Sequence, residues 1–362
     1  MTQCSAINAA DNFDRTDPRP EGSPIWRVRR LPLVGRISRN LRLRCRVQDS
    51  HPVIIGVSGG ADSVALMLAM AAARSGRTKA GRTKDRCPPV IVHVNHQLRN
   101  EAAEEAQHVH LLAEACGLRC VTCHIDPAQQ SGNLSQEARR LRYAALASVA
   151  REHGADTVLT AHHADDQLET MLMQLGRGTG LRGLAGMGWV RTLEPGIRLA
   201  RPMLDCRRAD AAALCRRAGV TWCDDPTNSD ARRTRARIRT EVTPVIEALW
   251  PGAPTRIGGT ASDVADLIEL LDRAVETVFG PVQQRSWLRD DLKHVPRVVV
   301  AAGLRRALAQ HTCGGNVSRE TIGTAVDMIL DEAVHPREVI WRDGVGMKVT
   351  IQRVELIESA SC

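Results

Sequence analysis

Aromatic side chains are nearly missing from this chain: its 362 residues include six Trp, two Phe and one Tyr. A core must therefore be filled by Ala, Leu, Val and Ile, and a hydrophobic content of 43% allows a substantial one. Long apolar runs are also lacking. The longest, Val64–Ala73, falls well short of the roughly 20 residues that a membrane-spanning helix needs. Met1–Asp17 has no apolar signal-peptide core. No membrane partner is expected, and the chain reads as soluble and cytoplasmic. Eleven cysteines, an odd number scattered over a long chain, argue against a disulfide framework. What the chain has in excess is positive charge, a net +8, which points to a polyanionic partner, nucleic acid first.

The lysine of a phosphate-binding G-x-x-x-x-G-K-[ST] loop is absent as well. In its place the apolar run Val53–Val57 leads into Ser58-Gly59-Gly60-Ala61-Asp62-Ser63, and an apolar helix is predicted over Val64–Ala73. A strand entering a Gly-Gly turn at a helix start aims backbone N–H groups at one point, where a pyrophosphate can sit. The segment resembles the SGGxDS loop of the PP-loop ATP pyrophosphatases, which split ATP into AMP and pyrophosphate to activate a carbonyl oxygen.

Strand and helix signals alternate along the following residues. Strands are predicted at Val90–Val94, Arg119–Ile125 and Asp156–Ala161, and helices at Glu101–Cys116, Gln136–His153 and Ala164–Leu175. This alternation implies an α/β fold with a doubly wound, mostly parallel sheet, whose ligands bind beyond the carboxyl ends of the strands. Residues 1–35 are expected to be a flexible extension, 36–245 a nucleotide-binding catalytic domain, and 246–362 a smaller, mainly helical domain ending in a hairpin. The hairpin is drawn from Glu338–Trp341, an Asp343-Gly344 turn and Lys348–Ile357. The basic near-repeat within Ser75–Pro89 reads as a surface loop, suited to RNA or simply solvated. Cys120-Val121-Thr122-Cys123-His124 imitates a haem-attachment motif, but in a strand the two cysteines face opposite ways, and buried thiols are expected.

A second cluster, Thr160-Ala161-His162-His163-Ala164-Asp165-Asp166-Gln167-Leu168-Glu169, lies where a strand gives way to a helix. Asp166 and Glu169 are i,i+3 neighbours, and His162 is placed one turn earlier, so one face carries two carboxylates and an imidazole. Such a face can bind an amine, coordinate Mg²⁺ or relay protons. Acids at a helix N-terminus also complement the helix dipole, which accounts for Asp165 and Asp166 without function.

Further motifs follow in order: His93–Arg99, Glu137-Ala138-Arg139-Arg140-Leu141-Arg142-Tyr143, Arg177–Leu184 and Arg201-Pro202-Met203-Leu204. Together, over about residues 50–245, they resemble the tRNA(Ile)-lysidine synthase family of PP-loop enzymes. The resemblance implies ATP-dependent ligation of free L-lysine to the wobble cytidine of the isoleucine tRNA with a CAU anticodon. An adenylated cytidine forms with loss of pyrophosphate, and the lysine ε-amine then displaces AMP to give lysidine. It further implies that Ser58, Gly59, Gly60, Ala61, Asp62 and Ser63 bind ATP, that Asp62 is a candidate Mg²⁺ ligand, and that Asp62, Arg142, His162, Asp166 and Glu169 are catalytic. Asp166 and Glu169 would hold the lysine ammonium, and Arg142 a phosphate or the activated base. A homodimer is compatible with this reading.

The chain departs from the family pattern at Arg235-Ala236-Arg237-Ile238-Arg239, where Ala236 stands in place of the usual Asn, although Asp225-Pro226-Thr227-Asn228 fits. Arg232, Arg233, Arg235, Arg237 and Arg239 make this segment strongly basic, and phosphate contacts are expected there. Two alternatives stay open. A tRNA thiolase needs a cysteine pair near the nucleotide, which Asn133–Tyr143 does not supply. A non-catalytic RNA-binding protein would have no use for Asp62, Asp166 and Glu169.

Overall fold

The computed structural model describes residues 3–5, 23–74, 87–95, 102–126, 134–223, 234–309, 317–332, 335–341 and 345–358. They fall into two compact units, 1–263 and 264–362, and the division lies inside the helix Ala253–Phe279.

The larger unit is built on a seven-stranded sheet. Its strands are β1 (Gln3–Ser5), β2 (Val53–Gly56), β3 (Val90–Asn95), β4 (Cys120–His124), β5 (Thr157–Leu159), β6 (Val190–Glu194) and β7 (Ile197–Ala200), in the order β1-β4-β3-β2-β5-β7-β6. The strands from β4 through β7 run parallel, and β1 and β6 close the two edges antiparallel. The chain winds outward from β2 through β3 to β4, then returns to place β5 on the other side of β2. Between β2 and β5 the winding reverses, which leaves a crevice at their carboxyl ends.

Strand alternation assigns the two faces. Ile55, Ile91, Cys120, Leu159 and Ala200 share one core with the helices Pro32–Leu43, Ala61–Arg74 and Arg208–Ala218. Their neighbours Ile54, Val92, Val121, Val158 and Leu199 face the helix Leu134–Glu152. Helix Ala61–Arg74 is apolar all round and buried from Ser63 to Ala72 apart from marginal exposure, as a helix between sheet and outer helices must be. Cys120 and Cys123 sit in opposite cores, so they do not form one ligand pair. Burial pushes the Cys120 thiol up to about 11.

Some expectations change. Described parts of the expected extension are structured: Gln3–Ser5 pairs with β4, and Pro24–Val28 is a helix with Ile25 and Val28 buried, its N-terminus capped by the Ser23 hydroxyl, which accepts from the Trp26 N–H at 3.3 Å. The β6–β7 hairpin and helix Arg208–Ala218 extend the predicted pattern. The stretches 75–86 and 224–233, with the basic near-repeat and the Asp225–Asn228 motif, lie outside the described residues.

The smaller unit combines the helices Arg289–Lys293, Arg297–Leu308 and Arg319–Leu330 with a four-stranded antiparallel sheet. Its strands are β8 (Ser286–Leu288), β9 (Arg337–Ile340), β10 (Val345–Val349) and β11 (Arg353–Glu358), in the order β8-β11-β10-β9. Lys348–Ile357, expected as one arm of a hairpin, is two strands joined through Thr350, whose N–H and hydroxyl donate to the Arg353 carbonyl. The Asp343-Gly344 turn lies outside the described residues. Phe279 and Trp287, their ring centroids 5.1 Å apart, anchor the core. The buried Arg289 guanidinium donates to the carbonyls of Ile329, Met328, Asp331 and Thr350, tying a helix end to the sheet. Among the described residues, no helix is long and apolar enough to cross a membrane.

Candidate active site

The Ser58–Ser63 loop leaves β2 at the crevice. Buried His93, within β3, donates Nδ1–H to the Val57 carbonyl at 2.9 Å and fixes the strand end from which the loop departs. Within the loop, the Ser63 hydroxyl donates to the Gly60 carbonyl at 2.9 Å and accepts the Ser58 N–H at 3.2 Å. Gly59 has φ of +92°, a conformation open to glycine at little cost, and its carbonyl accepts the Cys223 N–H at 3.0 Å. The loop is thus set by its own hydroxyls.

Asp62 enters the first turn of the helix that follows and faces the second cluster. Its Oδ2 lies 3.3 Å from His163 Nε2. Its Oδ1 is buried without a hydrogen-bond partner among the described residues. A buried carboxylate oxygen left free beside a Gly-Gly turn at a helix start fits Mg²⁺, a hard cation that takes one or two carboxylates together with substrate phosphates.

The second cluster leaves β5, the neighbour of β2. Its helix begins at Ala164, so His162 precedes the helix instead of sharing its face, and His163 is the N-cap. The His163 N–H donates to Asp166 Oδ2 at 3.1 Å. The His163 ring is 1% exposed and meets three carboxylates: Asp62 Oδ2 at 3.3 Å, Asp165 Oδ2 at 3.5 Å and Asp166 Oδ2 at 3.5 Å. Burial opposes a charge on this ring, but Asp166, Asp165 and Asp62 outweigh it and raise its pKa to about 10. Protonated His163 has two N–H donors. The Asp166 N–H at 3.4 Å and Arg208 Nε at 3.5 Å are therefore close approaches to it, not hydrogen bonds.

His162 has the opposite character. Burial, reinforced by Arg201, Arg139 and Arg142 against the pull of Asp166, lowers it to about 3. It is neutral at physiological pH, with Nδ1 2.9 Å from the Thr160 hydroxyl.

Asp166 and Glu169 lie side by side, as the i,i+3 spacing predicts, but both are engaged. Arg235 reaches Glu169 Oε2 at 2.8 Å and Asp166 Oδ1 at 2.9 Å. Arg239 reaches Glu169 Oε1 at 2.7 Å and Oε2 at 2.9 Å. Burial would raise the Asp166 carboxyl, yet His163 and Arg235 hold it well below the usual range. Of the basic segment expected to meet phosphates, Arg235 and Arg239 turn onto carboxylates, Arg237 pairs with Glu241 at 2.9 Å on the surface, and Arg232 and Arg233 lie outside the described residues. Ala236, between Arg235 and Arg237 in the chain, is buried.

The structure therefore brings Asp62, Asp166 and Glu169 into one acidic cluster through His163, Arg208, Arg235 and Arg239. Arg142 and His162 fall beside it, in a group of arginines around Tyr143. The role of His163 was hidden behind that of its neighbour. A His at the N-cap with Asp two and three positions on was the available signal. Arg235 and Arg239 are some seventy residues from their partners, and no local pattern announces the pairing.

A family model described as a PP-loop domain matches residues 35–246. Among curated proteins, a tRNA(Ile)-lysidine synthase of Deinococcus deserti is 42% identical over 263 residues, 71% of this chain and 43% of its own length. Proteins of the same name from Novosphingobium aromaticivorans and Bradyrhizobium diazoefficiens are 39% and 41% identical, over 75% and 70% of this chain and 79% and 68% of their own. The chain thus spans less than half of the first relative and most of the other two. Among solved structures, the U34-tRNA thiolase NcsA of Methanococcus maripaludis, with its [4Fe-4S] cluster, aligns over 65% of this chain and 78% of its own, with a TM-score of 0.53. At 16% identity that likeness concerns the fold alone.

Proposed function

Because this chain belongs to the PP-loop family, among the tRNA(Ile)-lysidine synthases, we propose that it joins lysine to an adenylated cytidine of tRNA. The substrates would be ATP, free L-lysine and the isoleucine tRNA with a CAU anticodon, met in the cytoplasm. The observation that carries this reading is the adjacency of two motifs at the crevice: Asp62 of the nucleotide loop meets the His163–Asp166–Glu169 cluster across 3.3 Å. An activation site and an amine site so close together suit a reaction in two consecutive steps.

In the first step the carbonyl oxygen of the base attacks the α-phosphorus of ATP, and the bond to pyrophosphate breaks. The N–H groups and hydroxyls of Ser58–Ser63 receive the departing charge. Mg²⁺, held through Asp62 Oδ1, would neutralise the phosphates. Arg142, whose Nε is buried without a partner among the described residues, is suited to the phosphate transferred to the base. In the second step the lysine ε-amine bonds to the ring carbon that bore the oxygen, which leaves with AMP, and one proton is released. Asp166 and Glu169 bind the ammonium, exchanging it for part of their contact with Arg235 and Arg239. Neutral His162, beside the carboxylates, is the group placed to accept the proton, burial and the neighbouring arginines keeping it uncharged until then.

Incubation with ATP, Mg²⁺, labelled lysine and the unmodified tRNA tests the reading. Label in the tRNA, identified as lysidine by nucleoside mass spectrometry and lost in Asp62→Ala, supports it. AMP release without label transfer would sink the choice of lysine as nucleophile.

A further inference from the structure

Four arginines gather around the sole tyrosine of the chain. The guanidinium carbons of Arg139, Arg142 and Arg191 lie 5.1, 5.3 and 4.9 Å from the centroid of the Tyr143 ring. Arg201 completes the group from the end of β7. It is 3% exposed, donates to the Gly188 carbonyl at 2.7 Å, and keeps its Nε buried without a partner. Among the described residues, none of the four forms an ion pair with a carboxylate. Neighbouring charges register the crowding: burial, together with Arg191 and Arg139, lowers the Arg201 guanidinium to about 10.

Like charges gathered in a partly desolvated place are costly unless something opposes them. A π-face offsets part of that cost, but one phenol ring cannot satisfy four guanidiniums and their unused donors. A phosphate can, since its oxygens match guanidinium forks and restore charge balance. The position of the group indicates which phosphate. Arg191 on β6 and Arg201 after β7 lie on the far side of β5 from the nucleotide loop that follows β2, and the helix Leu134–Glu152 brings Arg139 and Tyr143 to them. A phosphate held there is additional to those seated on Ser58–Ser63.

We propose that Arg139, Arg191 and Arg201, with the Tyr143 ring, form a binding site for a backbone phosphodiester of the RNA substrate. This inference rests on the reading that the substrate is RNA. It adds to that reading a grip on the strand beside the reacting base. Arg191, exposed on the edge strand β6, is the outer arm of the grip, and buried Arg201 is its floor.

Because Tyr143 is the only tyrosine, protein labelled with ¹³C at the tyrosine ζ position gives a single resonance from the middle of the site. The labelled protein is titrated with an unmodified RNA hairpin carrying the CAU loop and, separately, with ATP. The hairpin is expected to shift the resonance, and ATP, whose α-phosphate meets only Arg142 of the group, to move it less. Arg191→Ala should weaken hairpin binding about ten-fold. It should also reduce the slope of log affinity against log salt by about 0.7, one single-strand phosphate contact. Arg191→Lys should restore most of the slope. The proposal is overturned if the hairpin binds without moving the resonance, or if Arg191→Ala leaves affinity and slope unchanged. It is equally overturned if ATP alone moves the resonance as far as the hairpin does. A protein that binds the hairpin with the expected shift but makes no lysidine would sink the ligase reading and leave this site standing. Lysidine formation with an unmoved resonance would do the reverse.

Discussion

Asp62 and His163 face each other at 3.3 Å, a carboxylate from the loop after one strand against an imidazolium from the loop after its neighbour. About a hundred residues separate them in the chain, and the reversal of winding between β2 and β5 makes them adjacent. The pair links the nucleotide loop to the acidic helix, so changes on either side should be felt on both.

Asp62→Asn keeps the size of the side chain and removes its charge. Pyrophosphate release in the presence of tRNA should slow by about 10²–10³-fold, the scale of losing one preorganised electrostatic contact. The residual rate should respond more weakly to Mg²⁺. A variant with unchanged release and unchanged Mg²⁺ dependence would remove Asp62 from the chemistry.

The two histidines should tilt stability in opposite directions with pH. The His163 pKa is raised to about 10, above an unfolded value near 6.5. Its contribution is complete below about 6.5 and is lost as pH rises through 10. The His162 pKa is lowered to about 3, so between 3 and 6.5 the unfolded chain binds more protons and stability climbs with pH. Urea midpoints measured across pH 4–10 should flatten on the alkaline side in His163→Gln and on the acid side in His162→Gln.

Removing the Glu169 carboxylate leaves Arg235 and Arg239 facing each other with Asp166 alone to share. Glu169→Gln should cost about 3 kcal/mol in chemical denaturation, the lower end for breaking a buried pair, since both arginines keep some exposure. Arg235→Gln should lower the KM for lysine, because the ammonium no longer competes with that guanidinium. An increase in KM would mean instead that Arg235 holds the carboxylates in place for lysine.

In the smaller unit, a methyl group added at Gly303 would run into the Phe279 ring. Gly303→Ala should destabilise that unit by about 1–3 kcal/mol through overpacking. Thermal unfolding compared between the parent and a Trp287→Phe background by tryptophan fluorescence, the difference reporting Trp287 on Phe279, is the check.

The framework of the larger unit was legible because it is written locally. β-branched runs at Val53–Val57 and Val90–Val94, with glycine stops at Gly117 and Gly154, both at positive φ, give strand and helix positions directly. The β6–β7 hairpin was harder to see. Arg191, Glu194 and Arg198 interrupt it with charge, as an edge of the sheet permits. Asp62, Asp166 and Glu169 were legible as residue types in motifs, and their convergence follows from strand order. The partnership of Asp166 and Glu169 with Arg235 and Arg239 was not, since ion pairs across some seventy residues leave no periodic trace. Nor could sequence separate the roles of His162 and His163: their difference comes from what surrounds each ring, carboxylates for one and guanidiniums for the other.

The sheet of the smaller unit sets a condition on the order in which this chain can fold during synthesis. Its earliest strand, Ser286–Leu288, has one partner in the sheet, and that partner is the latest strand, Arg353–Glu358. Until the ribosome has delivered the final strand, the first has no ladder to join, and Trp287 has no Val354 opposite it. The larger unit can close its own strands well before then. A ribosome stalled a few residues short of Arg353 should therefore present a protease-resistant larger unit followed by a tail that is still open.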